Sequence, residues 1–279
     1  MSTEQPKDEK RCKAAGFLCV PDTRPTRIIL WLVAIAIVSL AIGFGILAAS
    51  GAFSPVTGHA NSPFSKTAWI LSNTTEFLLD GATAGNISVN MGAGEITLNG
   101  GAAGSNLMEV TIFSKAPEWQ PEYSSSLAGS VKTVRITDKG HTGKALFAVD
   151  SPNRWEVRLA DRVPVAAEVR IGAGDCRLVL GTLNLTSLDV HAGAGDTTID
   201  FSGYHGGRFD ASIMHGIGDL TLRIPANTRV TVIQGVGDIA GAGFILGNGA
   251  YTPPGFNPVL PVNEIFVKQG VGDVRLEMV

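Results

Sequence analysis

The chain has 279 residues, of which 34 are Gly and only 17% are charged, with 44% hydrophobic and a formal net charge of −3. That length buries a sizeable core, while the sparse charge excludes a coiled coil or helical solenoid and the apolar content excludes a disordered chain. No basic stripe is present to hold nucleic acid, and glycine in excess of charge points to an all-β chain of short strands and tight turns.

Residues 28–49 (IILWLVAIAIVSLAIGFGILAA) carry no charge. As a helix they would span roughly 33 Å, enough for a hydrocarbon core of about 30 Å. A single transmembrane helix in contact with membrane lipid is therefore expected there. The competing reading, a signal peptide cleaved near Ala48-Ala49-Ser50, would need an overlong apolar region behind an unusually long leader. Lys7, Lys10, Arg11, Lys13, Arg24 and Arg27 precede the helix, and only Lys66 follows within thirty residues. The positive-inside rule then keeps residues 1–27 as a cytoplasmic tail and exports the rest of a single-pass cell-membrane protein. Residues 50–67, rich in Gly, Ser and Pro, read as a flexible linker to an exported domain at 68–279.

The cysteines agree with that topology. Cys12 and Cys19 lie in the tail, and Cys176 is alone in the exported part, so that domain has no internal disulfide and rests on side-chain packing. Cys12 and Cys19, with no His or further Cys nearby, read as ordinary thiols rather than half a metal site.

One turn recurs six times along the exported domain. The sequence Gly-x-Gly-Asp/Glu occupies Gly92–Glu95, Gly172–Asp175, Gly193–Asp196, Gly216–Asp219, Gly235–Asp238 and Gly270–Asp273. Gly92, Gly94, Gly172, Gly174, Gly193, Gly195, Gly216, Gly218, Gly235, Gly237, Gly270 and Gly272 are thus structural turn residues.

The flanks repeat as well. Three and five residues before each turn the side chain is apolar: Val89 and Ile87, Val169 and Ala167, Val190 and Leu188, and likewise in the last three copies. After the fourth turn Leu220, Leu222 and Ile224 alternate with Thr221 and Arg223; after the last, Val274, Leu276 and Met278 alternate with Arg275 and Glu277. Period two means strands with one buried face. Strand, glycine turn and strand make a unit that cannot bury its apolar face alone, which predicts stacked coils of a right-handed parallel β-solenoid. An antiparallel hairpin array is the alternative, though Asn-Gly or Asp-Gly turns without a fixed longer period would mark it. Residues 101–166 read as a strand-rich insertion, with strands at 107–114, 131–137 and 154–159. Residues 244–263, with Pro253, Pro254, Pro258 and Pro261, read as a loop. Loops inserted into a solenoid often carry its binding function.

The acid that closes each turn has two readings. A carboxylate accepting backbone N–H groups would cap the turn. Stacked strands about 4.8 Å apart would also set Asp175, Asp196, Asp219 and Asp238 in a ladder of like charge, which asks for splaying, hydrogen bonds or a bound cation such as Ca²⁺. These four are the metal-site candidates, although the nonapeptide spacing of calcium-binding β-rolls is missing. His191, His205 and His215 lie near successive turns, out of register with one another, and read as exposed and solvated. No nucleophile elbow, phosphate loop or His-Glu-x-x-His is present, so neither an enzyme nor a cofactor is expected.

The Gly-Ala-Gly-Asp copies, the run 183–203 (LNLTSLDVHAGAGDTTIDFSG) and the run 220–237 (LTLRIPANTRVTVIQGVG) resemble the bacterial toast-rack family. That family is similar in turn to LiaF-like cell-wall-active-antibiotics-response domains and to adhesin-like heads with β-solenoid repeats. The resemblance spans roughly residues 75–279. It implies an envelope protein, adhesive in some relatives and tied to envelope-stress signalling in others, and carries over no catalytic residue. Glu95 in place of Asp and a single membrane helix depart from the LiaF-like pattern. The expected function is non-enzymatic: a membrane-anchored, adhesin-like β-solenoid that binds or scaffolds an envelope or surface protein or a glycan, with self-association open to it. A sensor or modulator of an envelope-stress response is the alternative, and a carbohydrate-active enzyme a third class.

Overall fold

The computed structural model describes residues 71–114, 120–139 and 153–279. The expected tail, membrane helix and linker lie outside them, as do Cys12 and Cys19. Among the described residues no helix is long and apolar enough to cross a membrane.

The described residues are all strand, turn and coil. In chain order the strands are β1 (Leu71–Leu78), β2 (Ala84–Ala93), β3 (Glu95–Gly100), β4 (Asn106–Ser114), β5 (Glu122–Ala128), β6 (Val131–Thr137) and β7 (Arg154–Leu159). There follow β8 (Pro164–Ala173), β9 (Cys176–Val179), β10 (Asn184–Ala194), β11 (Thr197–Asp200), β12 (Asp210–Ile217) and β13 (Leu220–Ile224). The last are β14 (Thr228–Val236), β15 (Ile239–Ala240), β16 (Ile245–Gly247), β17 (Ala250–Thr252), β18 (Asn263–Val271) and β19 (Val274–Met278).

Each Gly-x-Gly-Asp/Glu corner carries the chain from a long strand in one sheet to a shorter strand in the other. The long-strand sheet runs β16-β17-β14-β18-β12-β10-β8-β2-β6-β5, and the short-strand sheet β1-β4-β7-β3-β9-β11-β13-β19-β15. Repeat strands pair in parallel throughout, as stacking requires and a hairpin array would not. Antiparallel pairing is confined to the ends, where β1, β4, β5, β16 and β17 are added.

The core lies between the two sheets, built from the alternation seen in the sequence. On the short-strand side Leu98, Leu178, Ile199, Leu222 and Leu276 align in one register row and are buried. On the other, Val89, Val169, Val190, Ile213 and Val267 do the same. Each such side chain is worth about 1.5–3 kcal/mol when fully buried, so these rows are the main stabilising term. Met278 departs from the expected alternation and is exposed, because its strand's outer neighbour, β15, is only two residues long. Where β11 returns to β12, Phe201 stacks on Phe209 at 4.9 Å between centroids, with Tyr204 edge-on to both.

Two expectations about organisation are corrected. Residues 101–166 are only in part an insertion: β4 and β5 pair antiparallel at the end of the stack, but β6 and β7 pair in parallel with β2 and β3 and continue it, and β8 already begins at Pro164. Residues 244–263 are more than a loop, since they hold the β16–β17 hairpin, which joins the sheet through Val230 and Tyr251. The same stretch carries the chain back past its own last strand. β18 pairs with β12 on one side and β14 on the other, so the sixth repeat sits between the fourth and fifth. Loop closure grows only slowly with length, so a connection this long lets the chain skip one position.

Candidate functional site

The corners stack so that Ala93, Ala173, Ala194, Ile217, Val271 and Val236 align across six strands. The second glycine of every corner has positive φ, from 120° to 144°. The first is glycine for another reason. A Cβ on Gly193 would run into the carbonyl oxygen of Gly172, and one on Gly216 into that of Gly193. Neighbouring backbones therefore approach as closely as they do only because the side chain is absent.

The closing acids join one coil to the next. The N–H of Asp196 donates to Asp175 Oδ1 at 3.2 Å, that of Asp219 to Asp196 Oδ1 at 3.0 Å, that of Asp273 to Asp219 Oδ1 at 3.0 Å, and that of Asp238 to Asp273 Oδ1 at 3.0 Å. Asp273 intervenes between Asp219 and Asp238, which corrects the ladder expected from chain order. One oxygen each of Asp175, Asp196, Asp219 and Asp273 is thus engaged by a neighbouring coil, and these N–H groups offset the like-charge repulsion along the column. Glu95 sits differently: its N–H donates to the Asn153 carbonyl at 2.8 Å. Among the described residues no group of three or more His, Cys, Asp or Glu side chains is arranged to hold a metal ion.

Just before the corners the inward column changes character along the stack. It reads Met91, Ile171, Ala192, His215, Gln269 and Gln234, apolar in the first three repeats and polar in the others. His215, expected to be solvated, is buried. Its Nε2 lies 2.9 Å from the Gly195 carbonyl oxygen and its Nδ1 2.8 Å from Gln269 Oε1. The Gln269 amide in turn donates to the Gly218 carbonyl, and that of Gln234 to the Gly272 carbonyl, both at 2.8 Å. The polar side chains thus satisfy the carbonyl of a turn glycine one coil away. His191 does face outward, half-buried, 3.0 Å from Asp189, and His205 is exposed.

On the outer face the row of first glycines leaves a trough. It is a groove of about 670 Å³ floored by Gly92, Gly172, Gly193, Gly216 and Gly270. Five strands at about 4.8 Å spacing make it roughly 19 Å long, parallel to the stacking direction. One wall is the outward row Asn90, Arg170, His191, Met214 and Lys268. Arg170 is held by Glu168 at 2.6 Å, and hydrogen bonds from Arg170 and then Ser88 keep the Glu168 carboxyl below its ordinary range. Among the described residues Lys268 has no ion pair. The corner row that follows the glycines, outside the groove's lining, grows more apolar along the stack, from Ala93, Ala173 and Ala194 to Ile217, Val271 and Val236, the last three being 60%, 48% and 66% exposed. The trough has the shape for an extended ligand, with Arg170, Met214 and Lys268 along one wall.

A family model described as the N-terminal domain of toast_rack, DUF2154, matches residues 67–223, more than half of the chain. The chain belongs to the toast-rack family. The matched span ends within β13, so the fifth and sixth repeats of this toast-rack protein lie beyond it. No curated protein matches the sequence. Among solved structures it is similar to one described as a "putative cell adhesion protein" from Clostridium sporogenes, at 22% identity and a TM-score of 0.71, over 75% of this chain and 99% of that one. That likeness shows a shared fold. A "putative adhesin" from Bacteroides fragilis matches at 12% identity and a TM-score of 0.31, over 74% of this chain and 97% of that one.

The toast-rack corners were legible from the repeat, but the trough beside them was not. Its wall residues share no residue type, and only their common place two positions before each first glycine marks them. His215, Gln269 and Gln234 also stand out once the copies are aligned on the glycines.

Proposed function

We propose that this toast-rack protein is a non-enzymatic, membrane-anchored component of the cell envelope, and that its glycine trough is an adhesin-like binding surface. The trough carries the reading. It is a groove across five strands whose floor is bare backbone, and its walls offer charge and apolar contact rather than a nucleophile beside a base. Family membership and a fold shared with a protein described as a "putative cell adhesion protein" support the same reading. The apolar run 28–49 is the anchor in this reading, and the basic residues before it keep the tail in the cytoplasm. The partner is an envelope or surface protein or a glycan.

Protease protection tests the display. In intact cells stripped of any outer barrier, protease should digest the chain beyond about residue 50 and spare the tail. Cys12 should react with an impermeant thiol reagent only after lysis. Labelling of Cys12 in intact cells would contradict the proposed topology.

A further inference from the structure

Among the described residues, the two ends of the stack are finished differently. At one end the outermost strands are β15, of two residues, and β16, of three, and the connection that follows carries four prolines. Short strands and prolines are how a sheet edge is closed to further pairing. At the other end the short-strand sheet finishes on β1, eight residues long, with no Pro, Lys or Arg. Its register against β4 is regular up to Phe77, shifting only between Phe77 and Leu78. Among the described residues nothing pairs with the outward row of its backbone N–H and C=O groups, and that row is a template for another strand.

We propose that β1 is a dimerisation edge, pairing antiparallel with β1 of a second copy about a two-fold axis through Thr74. The choice of a second copy comes from the side chains. A two-fold axis perpendicular to the sheet keeps each face continuous only if paired residues share a face, as positions of equal parity do. Centred on Thr74, the register sets Thr74 opposite the partner's Thr74, Asn73 opposite the partner's Thr75, and Ser72 opposite the partner's Glu76. These three central pairs are polar, the next sets Leu71 opposite the partner's Phe77, no like charges meet, and the Ser72 hydroxyl can donate to the Glu76 carboxylate. Moving the centre to Thr75 sets Asn73 against the partner's Phe77, and moving it to Glu76 sets two carboxylates face to face, which destabilises a sheet pair. Thr74 already shares a hydrogen bond with Thr111 on β4 at 2.9 Å, so the register continues a threonine row across the axis. Thr75 and Phe77 are half-buried, and Phe77 packs against the core, which fixes the edge in place.

β5 is the edge of the other sheet at this end, and its Tyr123 ring lies 5.8 Å from that of Phe77 between centroids. All but Tyr123 of β5 is exposed, so β1 is the better-fixed edge.

The inference does not depend on the trough, and its failure would leave that surface untouched. The test uses the full chain in detergent with Cys12→Ser and Cys19→Ser, in which the remaining Cys176 is buried. Under mild oxidation Thr74→Cys should form a disulfide-linked dimer readily, because each residue faces its own symmetry mate. Ser72→Cys alone should not, whereas Ser72→Cys with Glu76→Cys should. In sedimentation the unsubstituted protein should dimerise. Thr74→Lys should weaken the dimer by at least about tenfold by setting like charges opposite each other, while its circular dichroism spectrum remains that of the folded protein. A monomer at every concentration, equal cross-linking of Thr74→Cys and Ser72→Cys, or cross-linking through Ser125→Cys instead would overturn the proposal.

Discussion

The N–H of Asp219 donates to the Oδ1 of Asp196, 23 residues earlier in the chain and one coil away in space, at 3.0 Å. The closing acid of each repeat therefore belongs as much to the next coil as to its own. An amide oxygen accepts the same bond, so Asp196→Asn should lower stability by less than about 0.5 kcal/mol, whereas Asp196→Ala should cost about 1 kcal/mol. Thermal melts of the two variants decide this. Calcium should leave both melting temperatures, and that of the parent, where they are; a rise reversed by chelator would make the column a cation site.

The first glycines should differ sharply in tolerance. Inside the stack a Cβ on Gly193 meets a backbone carbonyl that cannot give way, so Gly193→Ala should cost roughly 3 kcal/mol or more. Gly92 is at the margin, where the nearest atom to its Cβ is a side-chain oxygen of Asp138 rather than backbone, 3.1 Å away. Gly92→Ala should cost less than about 1 kcal/mol. Denaturant midpoints of the pair measure the difference.

Leu222 and Arg223 test which way β13 faces. Leu222→Asp buries an unpaired charge and should abolish folding or cost several kcal/mol. Arg223 faces outward as the alternation implies but is not a free surface cation: its guanidinium meets Asp200 at 2.8 Å and Glu277 at 3.0 Å. Arg223→Asp should therefore be measurably destabilising, because it sets three carboxylates together, while Arg223→Lys should recover much of the loss.

Thr197 occupies the inward row beside Cys176 and Leu220, and its buried Oγ1 has no hydrogen-bond partner among the described residues. Replacing it by Val keeps the shape and removes an unsatisfied hydroxyl. Thr197→Val should raise stability by about 1 kcal/mol, visible as a higher melting temperature.

Acid should loosen the short-strand sheet through Asp200. Burial pushes this carboxyl up, but hydrogen bonds from Ser202 and Arg223 outweigh it and hold it below its ordinary value. A folded-state pKa below the unfolded value contributes stability above about pH 4 that is lost as pH falls through the folded pKa. Asp200→Asn should therefore flatten the fall in stability below about pH 4. An unchanged acid slope would mean that Asp200 is not one of the groups responsible.

The sequence makes the repeat legible because each element is over-determined. Leu220, Leu222 and Ile224 alternate with polar residues, the glycines recur at fixed offsets, and the strands at 131–137 and 154–159 fall within a residue of where the pattern puts them. What is less legible is order in space. Nothing local to Gly270 says that its coil slips between those of Gly216 and Gly235. β1 and β5 escape notice because Leu71–Leu78 and Glu122–Ala128 are polar edge strands with no clean alternation. His215 is misjudged for a different reason: a polar residue on an inward row reads as solvated until its carbonyl partner, 20 residues away in the chain, is brought beside it.

The trough is the centre of this account, and attachment of cells displaying the full chain tests it most directly. Arg170→Glu combined with Lys268→Glu reverses the charge of one wall while leaving the core and the glycine floor intact. At equal surface levels, the account predicts that cells carrying the parent chain attach to partner cells or isolated envelope material, and that the double variant loses most of that attachment. Undiminished attachment by the double variant would contradict it.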